Sequence, residues 1–195
     1  SRYDFDSPAP EAKGNSRRTY VGGGGNETDA QHTVYKDGMG DWCANCHTDF
    51  HSENTTNFVH PIREMGTLVS EIYNAYISSD EIAGGNIETA YMGLVPFEAV
   101  NVDLETVDPS DYTFGATPAD QVMCVSCHRA HASPFADIAR WDMAETFIVD
   151  SHPQLTDEGA TPEDVANKYY QYTFVENQRS LCNKCHAKDL GDAGY

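Results

Sequence analysis

The chain has 195 residues, with 12 Lys+Arg against 31 Asp+Glu and a formal net charge of −19. That length suits one domain or two very small ones, and a hydrophobic fraction of 39% is thin for a chain that buries a core alone. So negative a charge excludes phosphate-tracking nucleic-acid binding and docking on anionic lipid, which need Lys and Arg, and no apolar run nears the roughly 20 residues that span a bilayer.

Residues 1–30 are polar and contain Gly22-Gly23-Gly24-Gly25, a run that holds no fixed conformation by itself. They predict an extended glycine-rich arm, which frays or lies across a partner, ahead of a domain over 31–195. The first residues, Ser1-Arg2-Tyr3-Asp4-Phe5-Asp6, form no apolar signal core. After His32 comes Cys43-Ala44-Asn45-Cys46-His47, followed by His51 and by His60 in Asn57-Phe58-Val59-His60-Pro61. Over 62–78, Ile62, Met65, Leu68, Val69, Ile72, Tyr73, Tyr76 and Ile77 recur at i, i+3, i+4 spacing and predict an amphipathic helix ending near Gly84-Gly85. Residues 100–120 are rich in Asp, Pro and Gly and read as loop.

Cys124-Val125-Ser126-Cys127-His128 repeats the earlier motif, with His131 close behind it. A short helix is expected after Pro134, running through Ile138 and Trp141. Beyond His152, another should begin at Thr161, with Pro162 at its first position and Glu163 and Asp164 in its first turn. Cys182-Asn183-Lys184-Cys185-His186 completes the set. No strand-like run exceeds a few residues. The expected fold is mostly irregular, with a few α-helices and little or no β-sheet.

All six cysteines fall into these three Cys-x-x-Cys pairs, and each pair is followed by histidine. With 8 His in the whole chain, chance placement is negligible. The spacing is the attachment signature for c-type haem. Two thiols two residues apart meet the two vinyl groups of one porphyrin, and the adjacent imidazole becomes the proximal iron ligand. The residues for this are Cys43, Cys46, Cys124, Cys127, Cys182 and Cys185 for attachment, and His47, His128 and His186 for iron. Zinc ribbons pair two knuckles about 15–20 residues apart, unlike three pairs at 43–46, 124–127 and 182–185. Thioredoxin-like motifs need no following histidine and would not occur three times. A structural disulfide strains the short Cys-x-x-Cys loop.

Three covalently attached haems in so short a chain cannot each be buried separately, so they should stack and replace the missing apolar core. Covalent attachment takes place outside the cytoplasmic membrane, which predicts a secreted chain with its signal peptide removed.

Five histidines remain for the distal positions: His32, His51, His60, His131 and His152. The five Met could raise the potential as ligands, but Met123 abuts Cys124 and the others sit in ordinary apolar patterns. Bis-histidine ligation is therefore expected at all three sites. His47 and His51, and likewise His128 and His131, are spaced as neighbours on one face of a helical turn. Such a pair cannot clasp one iron from opposite sides, so His51 and His131 should each serve another haem. The third motif lacks a following histidine and takes His60. His32 and His152 are spare candidates.

Trp42-Cys43-Ala44-Asn45-Cys46-His47-Thr48-Asp49, Cys127-His128-Arg129-Ala130-His131-Ala132-Ser133 and Leu181-Cys182-Asn183-Lys184-Cys185-His186-Ala187-Lys188-Asp189 resemble the last three haem motifs of the OmcS-like extracellular multihaem cytochromes of metal-reducing bacteria. Leu94-Val95-Pro96-Phe97-Glu98 and the segment after His60-Pro61 are also similar. The likeness covers 35–190 in patches and leaves out the arm. It implies a loop-dominated fold organised around stacked haems. It also implies a secreted, extracellular homopolymer (a cytochrome nanowire) in which a histidine of one subunit ligates a haem of the next. OmcS-like chains are longer and carry more haems than this one.

Three functions compete: an extracellular filament that exports electrons along stacked haems to extracellular acceptors, a soluble periplasmic triple-haem shuttle between redox proteins, and a multihaem reductase. Catalysis needs an open iron position, which the surplus of histidine argues against, so no enzyme activity is expected. The resemblance favours the filament over the shuttle. A bound divalent cation at interfaces would offset the acidic charge. All three haems should be low-spin, and electron paramagnetic resonance of the oxidised protein is the check; a substantial high-spin signal or a Met–iron absorption band would contradict the ligand assignment.

Overall fold

The computed structural model describes residues 6–14, 28–47, 62–130, 132–169 and 172–187. Strands β1 (Ala12–Lys13) and β2 (Val34–Tyr35) and helices α1 (Met39–Ala44), α2 (Gly66–Ala75), α3 (Cys124–Cys127) and α4 (Pro162–Asn167) are joined by loops, with 3-10 turns at Ala136–Ile138, Ile148–Asp150 and Leu181–Lys184. The irregular, helix-poor fold expected from sequence is the one found. Among the described residues the sheet is one antiparallel ladder that pairs Ala12 with Tyr35 and Lys13 with Val34.

That ladder docks part of the N-terminal segment on its own chain. Lys13 Nζ donates to Val107 O at 2.7 Å, and the Ser7 amide donates to Asn45 Oδ1 at 3.0 Å. The glycine run 22–25 lies outside the described residues.

Helix α4 begins where its local signals require. The Thr161 hydroxyl accepts from the Asp164 amide, the Asp164 carboxylate accepts from the Thr161 amide, and Pro162 opens the first turn. By contrast, the predicted helix over 62–78 is cut to Gly66–Ala75. Residues before it are recruited elsewhere: Glu64 bridges Gln121, and the Met65 amide donates to Asp120 O at 2.8 Å. Beyond it, Tyr76 turns extended and residues 78–81 close a turn. The apolar stripe is also split, because Tyr73 is fully buried while Leu68 is 71% exposed. After Pro134 only the turn Ala136–Ile138 forms, and Trp141 reaches the core from a loop.

A loop-rich chain must satisfy its backbone polar groups by long-range contacts. The wholly buried segment 94–99 does most of this. Glu98 exchanges both backbone hydrogen bonds with Gln121, at 2.9 and 3.0 Å, and the Ala99 amide donates to Tyr35 O at 2.8 Å. The Tyr73 hydroxyl donates to Val95 O at 2.8 Å and accepts from the Met92 amide at 3.1 Å.

Around this rib lies an aromatic-rich core of Tyr73, Tyr91, Phe97, Phe135, Trp141 and Tyr169 with Leu94, Ile148 and Leu181, and Cys127 and Cys185 pack at its edge. The polypeptide thus buries more apolar surface than its composition suggests, because a few large aromatic side chains carry it. Tyr73→Phe should leave the Met92 amide without its acceptor and remove the donor to Val95, costing about 1–3 kcal/mol. A lower thermal midpoint, with the far-ultraviolet spectrum unchanged, is the expected readout.

Candidate haem-binding site

Each Cys-x-x-Cys-His motif folds into one helical turn closed by the same bond. The amide of the histidine donates to the carbonyl of the first cysteine, at 3.0 Å for His47 to Cys43, 3.0 Å for His128 to Cys124 and 2.9 Å for His186 to Cys182. That bond spans four residues, so it depends on local geometry alone. It gathers two thiols and an imidazole on one short segment. None of the six cysteines is in a disulfide.

The first motif rides on α1. Gly38 precedes the helix in a left-handed conformation and provides no side-chain cap, so a distant residue supplies one. The buried Glu98 carboxylate accepts from the amides of Gly38 at 3.0 Å and Gly40 at 2.9 Å, and also from Met39. Burial raises the Glu98 carboxyl above the usual carboxylate range, while these amides pull it back. Gly40 is required by close packing, since a Cβ there would lie 2.9 Å from Ile62 Cδ1.

The second motif is α3 itself. Ser126 Oγ donates to Pro96 O at 2.5 Å and accepts from the Met123 amide at 3.1 Å. Buried Arg140 donates from Nε to Val125 O at 2.5 Å. The His128 ring donates from Nδ1 to Asp137 O at 2.8 Å, which fixes the ring and leaves Nε2 as the nitrogen able to take a metal. To aim that carbonyl, Asp137 and Ile138 both adopt positive φ, of 55° and 57°.

The third motif sits in the turn Leu181–Lys184. Lys184, between the two cysteines, is buried. Its Nζ donates to Ala90 O at 2.7 Å and lies 4.2 Å from the Tyr73 ring centroid. Desolvation lowers this ammonium to about 8.

Tertiary structure brings the second motif close to each of the other two. The Cys43 and Cys124 side chains are within hydrogen-bonding reach, which joins the first motif to the second. Cys127 interacts with Cys182 and Cys185, joining the second to the third. Burial pushes the thiols of Cys124, Cys127 and Cys185 up to about 11, 12 and 12. The cause in each case is desolvation, which disfavours the charged thiolate. Among the described residues, no group of three or more His, Cys, Asp or Glu is placed to hold a bare metal ion. The donor set fits porphyrin attachment: thiols in pairs, each beside an imidazole, with one ring already oriented.

Of the remaining histidines, His51, His60 and His131 lie outside the described residues. His32 is 3% exposed and stacks on Tyr91 at 3.5 Å; its Nδ1 faces Thr33 O at 3.0 Å and its Nε2 faces Tyr112 O at 2.8 Å. His152 is exposed, with Nδ1 on Asp157 Oδ2 at 2.7 Å, which raises the imidazole above its ordinary value. Sequence reasoning singled out neither Glu98 nor Lys184 as site residues, because their roles arise from contacts about 60 and 94 residues away.

Loop framework and motif turns are those of a c-type cytochrome. Comparison narrows this to the OmcS-like kind. The chain is 36% identical to the C-type cytochrome OmcS of Geobacter sulfurreducens, over 96% of its own length and 48% of that protein. It superposes on the Outer Membrane Cytochrome S filament of the same organism with a TM-score of 0.77 at 34% identity, covering 97% of this chain and 51% of that one. A second structure of OmcS nanowires, solved by cryo-electron microscopy, gives a TM-score of 0.76 at 35% identity, with the same coverage. No family profile matches. The chain spans about half the length of these relatives, and the likeness extends beyond the patches between 35 and 190 that the motifs alone carried.

A β-branched residue at positive φ is strained by roughly 1–2 kcal/mol. Ile138→Gly should therefore retain covalent haem and raise the thermal midpoint by the equivalent of about 1 kcal/mol; a fall would show that the Ile138 side chain, not the backbone bend, matters.

Proposed function

We propose that this chain is an electron-transfer subunit carrying three covalent haems and polymerising into an extracellular cytochrome filament. The observation that supports the reading is the closeness of the second motif to both others: the Cys43 and Cys124 side chains are within hydrogen-bonding reach, and Cys127 lies within electrostatic reach of Cys182 and Cys185. The described residues contain no helix long and apolar enough to cross a membrane. The filament assembly of the OmcS relatives supports the polymeric state.

Haem iron, when bound, supplies one-electron chemistry between ferric and ferrous states. The chain's own residues hold and orient. The three cysteine pairs would hold the porphyrins, with His47, His128 and His186 as the residues that would ligate iron. The Asp137 carbonyl holds the His128 ring and favours the Nδ1–H tautomer. The aromatic core beneath Cys127 and Cys185 excludes water and lowers the local dielectric. The scheme is that of an electron carrier, as the likeness to OmcS supports.

For the distal ligands, His60 serves the third iron, while His51 and His131 exchange between the first and second motifs. His51 crosses to the second iron, over His128, of an adjacent subunit, and His131 returns the contact to the first. A coordinate bond of this kind fixes register between two acidic chains better than surface contacts would. His32 and His152 remain in reserve, and residues 1–30, docked through Ala12–Lys13, form an arm on the domain 31–195.

Purified protein should contain three haems by pyridine haemochrome assay and mass, and should form filaments in electron micrographs. Changing both Cys124 and Cys127 to Ala should remove one haem. His51→Ala should give monomers that keep three haems, one of them high-spin. Normal filaments from that variant would place the crossing ligand elsewhere, and a wild-type monomer would favour the periplasmic shuttle.

A further inference from the structure

The first motif has a buried carboxylate beside it and the third contains a buried ammonium. Glu98 is 2% exposed, with its carboxylate against the amides that open α1, five residues or fewer before Cys43. Lys184 is also 2% exposed, held by Ala90 O and lying 4.2 and 5.5 Å from the Tyr73 and Tyr76 ring centroids. Neither has an oppositely charged partner within ion-pairing distance among the described residues.

Each charge acts on the thiols beside it. Glu98 raises Cys43 and Cys124, while Lys184 opposes the rise of Cys185. The middle motif feels both signs, Glu98 at Cys124 and buried Arg140 at Cys127. Asp41 adds to the negative end. Asp29 is the nearest anion to Lys184, but its carboxylate is taken by the Gly93 amide at 2.7 Å and the Tyr172 hydroxyl.

A buried charge acts on a neighbouring redox centre through a low dielectric, and so more strongly than a surface charge. An anion favours the ferric state and lowers the reduction potential; a cation favours the ferrous state and raises it. Building on the haem reading above, we propose that Glu98 and Lys184 grade the potentials along the chain, lowest at the first motif and highest at the third, so that electrons run downhill from the His47 end to the His186 end. The step moves one electron and makes or breaks no bond: one ferrous iron is oxidised and one ferric iron in the same chain is reduced.

Potentiometric titration of the whole protein tests this, followed by optical and electron paramagnetic resonance spectra. Glu98→Gln should raise the lowest of the three potentials most and the middle one by less, leaving the third nearly unmoved. Lys184→Met should lower the highest and leave the other two nearly unmoved. Shifts of the same sign in both variants, a uniform shift of all three haems, or no shift would overturn the proposal. If one variant takes up no haem, the sign found for the other decides. If neither takes up haem, the two charges serve folding alone and the proposal falls. A wild-type chain without covalent haem would overturn the haem reading itself, which the haemochrome assay reports separately.

Discussion

Buried backbone without a ladder needs partners, and in this chain the segment 94–99 supplies them. Its main chain pairs with Tyr35 and Gln121, its Pro96 carbonyl accepts from Ser126 inside the second motif, and its Glu98 carboxylate caps the helix of the first. Tyr73 links the same segment to α2, and the Tyr73 ring in turn lies beside the Lys184 ammonium in the third motif. All three cysteine turns are thus referenced to one rib only six residues long. A fold with so little regular structure can hold its motifs in register because the hydrogen bonds converge on this segment instead of spreading along strands.

The second motif gains its central place from this arrangement. It meets the first through Cys43 and Cys124, and its Cys127 is within electrostatic reach of Cys182 and Cys185 in the third. Its histidine ring is oriented by a main-chain carbonyl from a strained bend, so it does not depend on a titratable partner. Strain of this kind persists only where surrounding contacts over-determine the backbone. Here they do: Arg129 N to Ile138 O at 2.7 Å and Arg140 N to Cys127 O at 2.8 Å clamp both sides of the bend.

Charge is distributed on two scales. The net −19 of the chain is mostly solvated and screened over a Debye length of about 10 Å in ordinary salt. Glu98, Arg140 and Lys184 are few but buried beside the cysteines, where screening is weak. An acidic chain can therefore place local positive charge where its motifs need it, and its overall composition says little about the field at those positions.

Whatever closes within about one turn of chain was legible in the sequence. The three Cys-x-x-Cys-His turns, the Thr161–Asp164 cap with Pro162, the loop over 100–120 and the lack of long strands each depend on neighbours a few residues apart. Helical periodicity over 62–78 was real but insufficient, because pairing of 64 and 65 with 120 and 121 removed the first turn and an extended Tyr76 ended the last. Resemblance drew attention to Leu94–Glu98, yet nothing local in that stretch announces a helix cap for residues 38–40. The order of the motifs, the burial of Lys184 and the aiming of the His128 ring belong to the tertiary structure alone. They require loops of tens of residues to close on one another, and the contacts that repay that closure entropy come from side chains far apart in the chain, which no short window of sequence brings together.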